Sequence, residues 1–216
     1  MYQMEGDWMK VFVFGGIEGV GEHVFKQLAA EGHETVTVAE TDNRAEALRM
    51  LGATDVVVSE KNENFTGGID GSDAIIYIAG SSFGAGEDQE ILVDYEAVIK
   101  SLEEAQHRKT ERVVYLSPVR TDESEESKET GGKYKAEEWI RKSQLIYTII
   151  RTAKKVSKPG KGTIKAAETI AAADDEIPHE DVASVLVAAI NNQNTFRKSF
   201  DITEGKSSIK DALDSL

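Results

Sequence analysis

Residues 11–21 carry the clearest chemistry in this chain: Val11-Phe12-Val13-Phe14-Gly15-Gly16-Ile17-Glu18-Gly19-Val20-Gly21. Gly15, Gly19 and Gly21 are spaced GxxxGxG between an apolar run and a segment of helical periodicity. At these positions Gly15 lets the chain turn tightly off a strand, Gly19 lets a pyrophosphate approach the backbone, and Gly21 lets the helix pack against the sheet. Together with Gly16, Ile17, Glu18 and Val20 they form a loop at a helix N-terminus, where free N–H groups and the positive dipole end suit phosphate oxygens. No Gly-Lys followed by Ser or Thr closes the loop, so it is not a P-loop. The competing reading is a glycine turn without a ligand.

Further candidates lie where later strands end. Glu40 follows the second β-branched run, nineteen positions after Gly21. A carboxylate there accepts hydrogen bonds from ribose hydroxyls and repels a 2′-phosphate, which favours NAD over NADP, although Arg44 lies close by. A solvated strand-end Glu is the plainer alternative. Ala79, Gly80 and Ser81 close the fourth apolar run with small side chains that let a ligand lie near the backbone, or simply make a turn. Ser117 ends the fifth run.

Other constellations are weaker. The four histidines (His23, His33, His107 and His179) include no metal-spaced pair. His179 stands out because it follows Pro178 in a loop before a late helix. No GxSxG elbow supports a Ser-His-Asp hydrolase. The acidic run from Asp122 to Glu126 reads as a solvated loop rather than a metal site. Lys154, Lys155, Lys158, Lys161 and Lys165 form the one dense basic stretch, read as a loop that is either solvated or able to steer an anionic substrate.

The elements that must position these residues follow from periodicity. Expected strands cover Val11–Phe14, Thr35–Ala39, Asp55–Ser59, Asp73–Ala79, Arg112–Leu116, Leu145–Ile150 and a late Phe200–Thr203. Expected helices cover Gly19–Ala30, a segment capped by Asp42 or Asn43 that runs to Met50, Asp88–His107, Lys133–Ser143, Glu180–Asn191 and Ser208–Leu213. Gly32 and Gly52 close the first two helices. Six strands alternating with helical segments predict an α/β, doubly wound, mainly parallel Rossmann-like sheet with helices on both faces. Residues 1–8 read as a tail and residues 9–216 as one domain. The last third reads as a small elaboration on the substrate side.

Composition narrows the function classes. The chain has 216 residues, with 39 Asp and Glu against 25 Lys and Arg, a net charge of -14. That balance argues against binding a nucleic-acid backbone or an anionic membrane surface. With no cysteines, thiolate metal sites, Cys nucleophiles and CxxC redox chemistry are excluded, and a reducing compartment such as the cytoplasm fits. No apolar stretch reaches the length needed to span a bilayer.

Taken together, these residues resemble the short-chain dehydrogenase/reductase superfamily, and more narrowly its atypical branch of small NAD(P)H-binding, NmrA-like proteins related to sugar epimerases and dehydratases. The resemblance runs from Met9 onward through Gly15–Gly21, Gly71–Ile76, Ala79–Ser81, Val93–Tyr95, Arg112–Ser117, Tyr147–Arg151 and Glu180–Ala183. It implies a dinucleotide cofactor, NAD or NADP, and hydride transfer to or from a small carbonyl or alcohol substrate, with Ser117, where relatives commonly show paired serines, as a candidate contact for the nicotinamide or substrate. Two departures qualify it. Glu18 stands where relatives place their middle glycine. Lys133 falls at the position of the lysine in the superfamily's Tyr-x-x-x-Lys pair, but Glu129 stands where the tyrosine belongs, so no catalytic residue is assigned. Two alternatives therefore stay open: a dinucleotide-binding sensor or regulator without turnover, and an α/β protein that has lost the cofactor. Neither substrate nor oligomeric state follows from the sequence.

Overall fold

The computed structural model describes residues 8–59, 68–78, 95–118, 136–171 and 175–216. Strand β1 (Lys10–Phe14) leads through the glycine loop into helix α1 (Val20–Ala30), then β2 (Glu34–Ala39), α2 (Asp42–Met50) and β3 (Asp55–Val58). The chain returns to the other side of β1 with β4 (Ala74–Ile78), α3 (Tyr95–His107) and β5 (Arg112–Pro118). A helix over residues 136–142, α4, precedes β6 (Ile146–Thr152). The C-terminal third supplies β7 (Lys154–Val156), β8 (Thr163–Ala167), β9 (Glu176–Pro178), α5 (His179–Asn191), β10 (Lys198–Glu204), β11 (Ser207–Ser208) and α6 (Ile209–Asp214).

The main sheet has the order β11-β8-β10-β6-β5-β4-β1-β2-β3. From β10 to β3 every neighbouring pair is parallel, whereas β8 runs antiparallel to both β10 and β11. Strand order reverses between β1 and β4, the switch point beside which open α/β sheets bind ligands at the carboxyl ends of their strands. This is a Rossmann-like fold.

Both faces of the sheet are covered, so β4 is buried at every position, as expected of a central parallel strand. On one face Val20, Val24, Phe25 and Leu28 of α1 share an apolar cluster with Val11, Val13, Ile76 and the Val182–Ile190 stripe of α5. On the other, Val98 and Leu102 of α3 and Ile140 of α4 pack on Phe12, Ile75, Val113 and Ile149. An aromatic ladder crosses that second face: Phe14 stacks on Tyr77 at 4.6 Å between centroids, and Tyr77 on Tyr115 at 5.6 Å.

Several expectations need correction. The basic stretch 154–162 is not all loop: Lys154–Val156 forms β7 and pairs in parallel with β9. Lys165 lies within β8, which pairs antiparallel with β10. Three-residue strands are too short to show a period. In β8 only Ile164 is fully buried, so the alternation that reveals a half-buried strand is missing. The last third thus adds β8, β10 and β11 to the main sheet, while β7 and β9 form a separate two-stranded sheet. Helix α2 is capped by Thr41, whose side chain accepts a hydrogen bond from the Arg44 N–H, and not by Asp42 or Asn43. Of the helix expected over 88–107, Tyr95–His107 lies within the described residues, whereas the acidic run at 122–126 lies outside them.

One buried cation ties α5 to the sheet. Arg112, at the start of β5, donates from Nε to the Ile190 carbonyl at 2.9 Å and from Nη2 to the Ala189 carbonyl at 2.5 Å. These carbonyls belong to the last turn of α5, which has no intrahelical donors for them, and a cation there also opposes the negative dipole end. Nη1 donates to the Ile146 carbonyl at 2.8 Å and Nη2 to Thr148 Oγ1 at 2.8 Å, while the guanidinium lies 4.5 Å from the Phe196 ring centroid. Lysine keeps the charge but loses this fork of donors. Arg112→Lys is expected to destabilise the fold by about 3 kcal/mol, the scale of lost hydrogen bonds to a buried charge. Urea unfolding should show a lowered midpoint with an unchanged slope.

Candidate functional site

The loop between β1 and α1 is built around contacts that leave no room for side chains. A Cβ on Gly21 would lie 1.8 Å from the Gly16 carbonyl oxygen, and one on Gly15 would lie 2.9 Å from Ile78 Cβ. Gly21 is thus crowded by the loop's own backbone rather than by the sheet, which corrects the role expected for it. Gly19 has φ 57° and ψ -121° and caps α1 without any side-chain hydrogen bond. That conformation belongs to glycine alone. Ile17 packs on the core cluster, Val20 is buried, and Glu18 is exposed at the loop surface.

Gly15, Gly16 and Ile17 line a shallow cleft together with Ala39, Glu40 and Arg44. The structure therefore brings the glycine loop and Glu40 together, because β1 and β2 are adjacent and both end at this edge. Arg44 Nη1 lies 3.9 Å from Glu40 Oε2, with both side chains partly exposed. An ion pair of that kind contributes little to stability, so either group is free to turn to a ligand at small cost.

Ser117 lies two strands beyond the loop, across β4, at the carboxyl end of β5. It is 1% exposed and its hydroxyl has no hydrogen-bond partner among the described residues. Thr152, at the end of β6, is likewise buried and unpartnered. Leaving a buried hydroxyl unsatisfied costs roughly 1–3 kcal/mol, so these oxygens suit a ligand that supplies the missing partners. Ala79, Gly80, Ser81 and Lys133 fall outside the described residues.

A polar network that periodicity does not reveal flanks this end. Arg151 Nε donates to Glu137 Oε1 at 3.0 Å and Nη2 to Oε2 at 2.7 Å, while Nη1 reaches Asp201 Oδ1 at 3.3 Å. Arg141 Nη2 adds a bond to Glu137 Oε2 at 2.6 Å, and Asp201 Oδ2 accepts the Ile170 N–H at 2.8 Å. The Tyr115 hydroxyl is fully buried and unpartnered among the described residues. Its burial, and then the nearby Glu137 charge, push its pKa well above the usual phenol range. The only sequence signal for this network was the resemblance at Tyr147–Arg151, which names Arg151 without its partners.

The glycine loop also has a neighbour from the far end of the chain. His179, the first residue of α5, sits against Gly19. Among the described residues no three His, Asp or Glu side chains group as metal ligands, and no helix is long and apolar enough to cross a membrane.

Known proteins place this geometry in context. The family described as NAD(P)H-binding matches residues 15–193, and the chain belongs to it. It is 29% identical to a Bacillus subtilis (strain 168) protein named as an uncharacterized sugar epimerase, YhfK, over 96% of this chain and 100% of the other. A Bacillus halodurans structure, provisionally named an NAD-dependent epimerase/dehydratase, shares 28% identity with a TM-score of 0.86, covering 96% of this chain and all of the other. The oxidoreductase ylbE of Lactococcus lactis shares the fold, with a TM-score of 0.76 at 21% identity over 96% of each chain. These matches bear out the resemblance to the short-chain dehydrogenase/reductase superfamily and its epimerase and dehydratase relatives.

The crowding at Gly21 makes a direct prediction. Gly21→Ala is expected to lower stability by more than about 3 kcal/mol, because the Gly16 carbonyl must be displaced. Gly32→Ala, which meets nothing within 4 Å but adopts φ 81°, is expected to cost only about 1 kcal/mol from backbone strain. Thermal unfolding of the two variants should separate them clearly. Equal melting temperatures would refute the packing described for the loop.

Proposed function

We propose that this chain binds a nicotinamide dinucleotide along the carboxyl edge of its sheet and serves as an oxidoreductase of the atypical short-chain dehydrogenase type. The carrying observation is the glycine loop, whose three constrained glycines expose the α1 N-terminus beside the strand-order switch point. In this reading the Gly15–Gly21 backbone holds the pyrophosphate and Glu40 holds the adenosine ribose. The dinucleotide then crosses β1 and β4 towards Ser117. Ser117, whose hydroxyl has no partner among the described residues, and the side-chain-free cradle both fit such a ligand. When bound, the nicotinamide supplies hydride chemistry and the protein supplies orientation. Ala79, Gly80, Ser81 and Lys133 are proposed contacts at the nicotinamide side. Residues 9–216 are read as one domain, supported by a sheet that runs unbroken from β3 to β11.

Glu40 favours NAD, since a carboxylate accepts the two ribose hydroxyls and repels a 2′-phosphate. Arg44, across the ion pair from it, is the group that would accept the phosphate of NADP instead. Substrates in this reading are small carbonyls or alcohols, a class in keeping with the epimerase and oxidoreductase names its relatives carry.

One observation favours a second reading, a dinucleotide-binding sensor without turnover. Tyr115 is the tyrosine nearest Ser117 on β5, and it is sealed in the core with a raised pKa. A general acid works best with a pKa near the working pH, so Tyr115 is displaced in the wrong direction.

Calorimetric titration with NAD, NADH, NADP and NADPH at one salt concentration tests both readings. The expected result is micromolar affinity for NAD or NADH, lost in Gly19→Trp. Glu40→Gln is expected to weaken NAD binding about tenfold and to narrow the gap to NADP. A preference for NADPH in the native protein would shift the ribose contact to Arg44. Binding without consumption of NADH across a panel of carbonyls would select the sensor. No binding of any of the four would remove the dinucleotide reading.

A further inference from the structure

Two helix N-termini meet at the glycine loop. Helix α1 begins at Val20 and α5 at His179. A side chain on Gly19 would come within 3.3 Å of His179 Cε1 and 3.6 Å of Nε2. The two helices share one buried apolar cluster, and Gln27 Nε2 of α1 donates to Ser184 Oγ of α5 at 2.9 Å. The ring is therefore held over the loop by rigid elements. Ser157 Oγ, just after β7, lies 3.5 Å from His179 Nδ1. The two ring nitrogens lie at similar distances from a side chain placed on Gly19, Nδ1 at 3.5 Å and Nε2 at 3.6 Å, and with Ser157 beside Nδ1 it is Nε2 that is left to meet a ligand in the loop.

The charged groups on every element around this ring sort into two sets. The carboxylates are engaged elsewhere. Glu22 of α1 pairs with Lys26, and Glu176 of β9 pairs with Lys154 and Lys158. Glu180 accepts the Gly160 N–H at 2.8 Å, and Asp181 accepts the N–H groups of Lys161 at 3.0 Å and Gly162 at 2.8 Å. Glu18 is exposed on the loop itself. The basic groups that act on the ring are Lys155 of β7 and His23 of α1. Burial first, then Lys155 and His23, hold His179 below the usual imidazole range.

We propose that His179 is a phosphate contact of the dinucleotide site, donating from Nε2 to the pyrophosphate opposite the α1 N-terminus and making binding pH-dependent. This rests on reading the glycine loop as the pyrophosphate site. A phosphate diester beside the ring favours the imidazolium, which donates from Nε2 to the phosphate and from Nδ1 to Ser157. The pKa of His179 is then higher in the complex than in the free protein. Affinity is greatest below the free-protein value and falls as pH rises through the value in the complex. Lys155 and His23 are the basic groups beside it. Nothing in the spacing of the four histidines signals this arrangement, since Gly19 and His179 are far apart in the chain.

The test is calorimetric titration of NAD and of NADP at pH 5.5, 6.5 and 8.0, at constant ionic strength and without phosphate buffer. The native protein is expected to bind about tenfold more tightly at pH 5.5 than at pH 8.0, the scale of one charge-assisted hydrogen bond. His179→Gln is expected to lose that slope and, at pH 5.5, about tenfold of the native affinity. His23→Gln is expected to retain most of it. A native protein that binds without pH dependence overturns the assignment of His179 and leaves the glycine-loop site standing, as does a slope that survives in His179→Gln. Absence of binding by the native protein at every pH overturns both. If His179→Gln does not fold, proton NMR of the four native imidazoles, assigned through His23, His33 and His107 variants, provides the second readout. The His179 pKa is expected to rise on adding the dinucleotide, and an unchanged value overturns the proposal.

Discussion

The contact between the Gly21 Cα and the Gly16 carbonyl is the constraint on which the rest of this structure depends. It brings the first turn of α1 back onto the loop that leaves β1, at a distance only glycine tolerates. From that contact follow the direction of α1 and the exposure of its first N–H groups at the sheet edge. The line along which α1 packs on α5 follows as well. Because the apolar stripe of α1 is shared with α5, the same geometry carries the start of α5, and with it His179, to the loop.

Two buried guanidinium groups anchor opposite ends of the sheet by different means. Arg112, at the amino edge, is satisfied mainly by carbonyls, so its charge is spread over helix-end dipoles and an aromatic face. Arg151, at the carboxyl edge, is satisfied by two carboxylates from α4 and β10. Neither arrangement is a cheap route to stability, because desolvating the ions offsets much of their attraction. Their effect is positional: β5, β6, β10 and α4 are held in one register beneath Ser117. Among the described residues, the carboxyl edge bears the unpartnered hydroxyls of Ser117 and Thr152, whereas every polar group of Arg112 at the amino edge has a partner.

Much of this was legible in the residues. Among the described residues, the alternation of apolar runs with helical stripes marked seven of the strands and the six α-helices, because parallel strands buried on both faces are continuously apolar and amphipathic helices repeat every turn. The strands β7, β8, β9 and β11 escaped notice. They are short edge or side pieces held by backbone pairing to distant segments, and such pairing leaves no period in the chain. Thr41 was missed as the cap of α2 because Asp42 and Asn43 are equally good capping types. Only the backbone angles show which residue stands outside the helix.

By itself, then, the sequence determined the fold class, the position of the strand-to-helix turn and the need for glycine there. Each of these depends on interactions within a few residues or on a local period. Tertiary structure alone decided that Gly21 is crowded by Gly16 rather than by the sheet, that Glu137 and Asp201 close on Arg151, and that His179 lies over Gly19. Those contacts join residues separated by up to 160 positions (Gly19 to His179). Their partners are chosen by the crossing of helices and the order of strands, which no spacing in a linear chain records.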